Sequence, residues 1–82
     1  MKKREKELGE SNIIGKKIES IRKAKNISQK DLVAKLQVYG LDIVPSTLSK
    51  IEGQTRKVTD IELLAFSKVL GVTAEELLSQ SE

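Results

Sequence analysis

The chain has 82 residues, 38% of them hydrophobic and 33% charged, with a formal net charge of +3 and neither cysteine nor histidine. A chain of this length buries one core without disulfides or a metal but has no room for a second. The missing Cys and His exclude thiol chemistry, imidazole bases and ordinary zinc sites, and the expectation is that no metal or cofactor is bound.

Residues 1–12 are rich in charge and carry no apolar stripe, so they read as a flexible arm. The basic start leads into no apolar stretch, and no run reaches the roughly 18 apolar residues of a membrane span. The expectation is a cytoplasmic protein without a signal peptide or membrane contact. Residues 13–79 read as one all-α domain of five helices, and 80–82 as a frayed end. In the first helix Ile14, Ile18 and Ile21 share a stripe, and Asn26 can take the left-handed end. Ser28, with Asp31 three residues on, opens the second as a near capping box. Its stripe is Leu32, Val33, Leu36 and Tyr39, and Gly40 stops it.

The third helix runs from Pro45 to Glu52, with Gly53 as its stop. Proline suits the first helical position, where its missing N–H has no intrahelical partner and its fixed φ already fits. Thr59 and Glu62 form a capping box for the fourth, in which Ile61, Leu63, Leu64, Ala65, Phe66, Val69 and Leu70 are apolar on most sides. That pattern places the fourth helix at the centre of the core, and Gly71 closes it. Thr73 and Glu76 open a short fifth helix that buries Leu77 and Leu78.

Charge is unevenly spread. Residues 11–57 carry ten Lys or Arg against four Asp or Glu, whereas 58–82 carry one against five. A basic block ahead of an acidic tail suggests one basic face, although a charge run is also the ordinary look of a solvated surface. The third helix favours the first reading. At about 100° per residue, Val44, Leu48, Ile51 and Glu52 point toward the core, while Ser46, Thr47, Ser49 and Lys50 point away. Small hydroxylated side chains let a helix approach another surface closely. A lysine one turn on reaches a base edge or a phosphate, and the helix dipole adds attraction for phosphate at the N-terminus.

The segments "IGKKIESIRKAKNISQKDL", "STLSKIEG" and "TDIELLAFSKVLGVTAEELL" occur in this order between Ile14 and Leu78. In them the chain resembles the helix-turn-helix DNA-binding domain of phage repressors and Xre-type transcriptional regulators. The resemblance implies a compact five-helix bundle of the lambda-repressor-like type. It implies that Gln29 grips the DNA backbone, that Ser46, Thr47, Ser49 and Lys50 meet the major groove, and that Gln54, Thr55, Arg56 and Lys57 touch phosphates. It also implies an ion pair between Arg22 and Glu52, two charges that periodicity leaves at the edge of the core or inside it.

The chain departs from that family at 37–43, where eleven residues separate Leu36 from Leu48 and lengthen the turn. The simplest account extends the second helix through Tyr39, stops it at Gly40 and puts Ile43 in the buried turn position. Val33 stands where the family favours a small residue, and Val44 where it favours a Ser or Thr cap. The extra Val38, Tyr39 and Leu41 suit local packing, a dimer contact or a site for a partner protein.

The function expected is a sequence-specific DNA-binding transcriptional regulator, a repressor, which binds double-stranded DNA as a homodimer. The alternative is an antitoxin or other protein-interaction module that binds a partner protein through the inserted turn or the C-terminal helix. An enzyme is not expected, because the lysines and carboxylates form no catalytic constellation and there is no Gly-rich phosphate loop.

Overall fold

The computed structural model describes residues 11–79, in which five helices follow one another: α1 (Gly15–Ala24), α2 (Gln29–Tyr39), α3 (Pro45–Glu52), α4 (Asp60–Leu70) and α5 (Ala74–Leu78). Residues 1–10 of the expected arm and the C-terminal residues 80–82 lie outside the described residues. The chain is all-helical across the described range, as its periodicity predicts.

Hydroxyls cap three of the helices. Ser28 Oγ accepts from the Asp31 N–H at 3.0 Å, Thr59 Oγ1 from Glu62 at 3.1 Å and Thr73 Oγ1 from Glu76 at 3.0 Å. The carboxylate completes the box only for Thr59 and Thr73; Asp31 makes no return bond to Ser28. Asn26 (φ 58°), Gly40 (φ 119°) and Gly71 (φ 73°) take the left-handed ends of α1, α2 and α4. At the end of α3 the left-handed residue is Gln54 (φ 64°), one position later than expected, and Gly53 stays right-handed at φ −79°. The Gln54 and Thr55 N–H groups then bond back to the Ile51 and Lys50 carbonyls, both at 3.0 Å, so the last turn is satisfied.

The core gathers Ile14 at the N-cap of α1 and Ile18 within it, Leu32, Val33 and Leu36 from α2, Leu48 and Ile51 from α3, Ala65, Phe66 and Leu70 from α4, and Leu77 from α5. Ile43 joins it from the turn before α3, at the position the lengthened-turn account requires. Each fully buried aliphatic or phenyl side chain contributes about 1.5 to 3 kcal/mol. α2 packs on α3 and α4, α1 packs on the same two helices, and α5 packs on α4.

Several apolar residues expected inside are outside. Ile61 and Leu64 lie on a solvent stripe of α4 with Lys68, three and four residues apart, while Glu62, Ala65, Phe66 and Leu70 turn inward. Leu78 is exposed and Leu77 fully buried, because on a helix of five residues two neighbours about 100° apart cannot both face one core. Tyr39 sits in the added turn beyond Leu36 and keeps about half its surface in solvent. Val44 is 51% exposed, since it is the extended N-cap of α3 and a helical angle does not apply to it.

Candidate nucleic-acid interface

The handover from α2 to α3 determines where α3 points. Gly40 ends α2 in the left-handed region, the Leu41 N–H returns to the Leu36 carbonyl at 2.8 Å, and Ile43 inserts into the core. Gln37 Nε2 donates to the Ile43 carbonyl at 2.9 Å, tying the turn to the side of α2. Val44 offers no side-chain cap, and Pro45 fills the first helical position, so α3 starts with one fewer orphan N–H.

With Leu48, Ile51 and Glu52 buried, α3 exposes Ser46, Ser49 and Lys50, and Thr47 is half-buried on the flank. The rear of the helix is fixed by α1. Gly15 is buried against it so closely that a Cβ would overlap the Ile51 carbonyl oxygen. Asn12 binds the same place: its Nδ2 donates to the Ile51 carbonyl at 3.1 Å and the Arg56 carbonyl at 2.8 Å, and its Oδ1 accepts from the Gly15 N–H at 2.7 Å.

A polar chain runs from this core outward. Arg22 and Glu52 form the ion pair that the resemblance implies, with Nε to Oε2 at 2.7 Å and Nη2 to Oε1 at 3.0 Å. Both are buried, and Arg22 Nη1 also donates to the Ile27 carbonyl at 2.9 Å. The Glu52 hydrogen bonds push the Arg22 pKa up against the opposing effect of burial. Glu52 Oε1 accepts from Gln29 Nε2 at 2.9 Å, and Gln29 Oε1 accepts from the Ser49 hydroxyl at 3.1 Å. The structure thus links Gln29, at the first turn of α2, to both the core pair and the exposed face of α3.

The loop after α3 is more occupied than its sequence implies. Gln54 Nε2 donates to the Asn12 carbonyl at 3.3 Å, and Thr55 Oγ1 donates to the Lys50 carbonyl at 3.3 Å. Arg56 makes a bidentate pair with Glu62 at 2.9 and 3.0 Å and donates to the Lys57 carbonyl. The pairing pushes the Arg56 pKa up, and chiefly the Arg56 hydrogen bond holds the buried Glu62 below the usual carboxylate range. Lys57 remains exposed and, like Lys50, makes no ion pair among the described residues.

Helical spacing could not find the Arg56–Glu62 pair, because it spans a loop and six positions. Asn12 and Gly15 were missed for a related reason: an Asn or Gly at a helix start looks like a weak start signal, and the carbonyls they meet at and beyond α3 lie 36 residues or more away.

A helix-turn-helix family model matches residues 18–77 of this chain. No curated protein and no solved structure matches it. Among the described residues no helix is long and apolar enough to cross a membrane.

Proposed function

The chain belongs to the helix-turn-helix family of DNA-binding regulators of the Xre and lambda-repressor type, and from that premise we propose that it is a sequence-specific repressor. In this reading α3 enters the major groove of double-stranded DNA, with Ser46, Thr47 and Lys50 at the base edges and Ser49 beside them. Gln29 and Lys57 contact phosphates on either side of the helix. Gln54, Thr55 and Arg56 flank the same backbone but are held by the protein, so their share is mainly to shape the loop.

The observation that carries the reading is the charge left on the α3 side. Arg22 and Arg56 are each neutralised by a glutamate, whereas Lys50 and Lys57 are exposed with no acid on them among the described residues. One such module buries about 600 to 1,000 Å² and reads only a few base pairs, so the reading includes a homodimer on two half-sites about 34 to 36 Å apart.

Binding to duplex DNA at rising salt tests this. Log K should fall linearly with log salt, at about 0.9 per phosphate neutralised. The alternative, an antitoxin-like module for a partner protein, is favoured by one observation: Tyr39, Leu41, Ile61 and Leu64 line one apolar surface depression at the inserted turn. Affinity that ignores salt and collapses on Tyr39→Asp or Leu41→Asp would support that alternative instead.

A further inference from the structure

The expected role for Ser49 is to read bases from the exposed side of α3. Its hydrogen bonding indicates something different. Glu52 is buried with its carboxylate between Arg22 and Gln29. An ionised carboxylate has no proton to give, so the edge of the Gln29 amide that faces it must be N–H. The other edge, Oε1, can then only accept, and the Ser49 hydroxyl lies 3.1 Å from it. A serine has one proton, and here it is directed at the protein. Toward DNA, Ser49 therefore presents lone pairs only, and it cannot donate to a phosphate or to guanine O6 and N7. Gln29 keeps a second amide N–H with no partner among the described residues.

We propose that Ser49 is a positioning residue: it holds the Gln29 amide in one orientation so that the spare N–H serves the DNA backbone, and it does not choose the base sequence. The inference rests on the DNA-binding reading above. Glu52 and Ser49 clamp the amide from opposite edges, so the orientation is set before DNA arrives and no ordering is needed at binding. The buried ion pair thereby acts on DNA through one side chain, and Ser49 closes the chain at its exposed end.

The test is a double-mutant cycle read as affinity for the duplex that the wild-type protein selects from a random pool. Ser49→Ala should bind roughly two- to tenfold more weakly, the range of one net hydrogen bond, and should select the same sequence. Ser49→Thr, which keeps the hydroxyl, should restore binding. In a Gln29→Ala background, Ser49→Ala should change affinity by less than about twofold, because a residue that acts only through Gln29 has nothing left to act on. Additive losses, or a new preferred base in the Ser49→Ala selection, would overturn the role. Either result with wild-type binding intact removes this inference alone. Wild-type protein with no salt-dependent duplex binding removes the DNA-binding function and this inference together.

Discussion

Among the described residues there are two bidentate arginine–glutamate pairs, and they differ in depth and reach. Arg22–Glu52 joins α1 to α3 across 30 residues, with side chains 9% and 4% exposed. Arg56–Glu62 closes the loop between α3 and α4 across six, with its arginine 36% exposed. The deeper pair orients the helix proposed to read DNA and passes that order on through Gln29 to Ser49. The shallower one fixes the loop and removes a cation from it. A count of basic residues treats the two arginines as equal contributors to a positive face, and neither is one.

Glu52→Ala should separate the pairs most sharply. It leaves the Arg22 charge buried without its partner and should cost about 3 to 5 kcal/mol in chemical unfolding. Glu62→Ala should cost clearly less, since Arg56 can turn to water; equal losses would mean that depth is not what distinguishes them. Gly15→Ala probes the same α1–α3 joint from the backbone side. A methyl there meets the Ile51 carbonyl, so a loss of about 1 to 3 kcal/mol is expected, and an unchanged thermal midpoint would show that the helices have room to separate.

Acid acts on the shallower pair. Glu62 is held below its ordinary value of about 4.5, chiefly by the Arg56 hydrogen bond. A carboxylate depressed by folding stabilises fully above its unfolded pKa, and that contribution disappears as pH falls through the folded value. Wild type should therefore lose this contribution only below about pH 4.5, in the window down to the depressed value. Glu62→Gln should flatten that part of the acid limb, and an identical limb in the variant would contradict the pairing. The smallest effect concerns DNA. Replacing the pair together, Arg56→Gln with Glu62→Gln, should leave the salt slope of binding unchanged, whereas Lys57→Ala should lower it by about 0.9.

The sequence shows the helices clearly because their ends are written locally. Ser28, Thr59 and Thr73 cap, Asn26, Gly40 and Gly71 take left-handed ends, and Pro45 starts α3, all within a turn of the boundary they set. The outer face of α3 was legible for the same reason, as were the added turn through Tyr39 and the buried Ile43. Sequence reading failed where a partner follows no helical spacing and no family pattern. Nothing near Arg56 in the chain announces that Glu62 will neutralise it, and nothing near Asn12 points to the α3 carbonyl it binds. Apolarity also misled at Ile61, Leu64 and Leu78, which periodicity allows on either side and which packing leaves in solvent.

The most direct test of α3 as the reader is selection from a random duplex pool by wild type, Ser46→Ala and Lys50→Ala. Wild type should return one sequence made of two half-sites, and each variant should weaken binding and relax the preference at the positions its residue contacts. Both variants selecting the wild-type sequence with undiminished affinity would contradict the account.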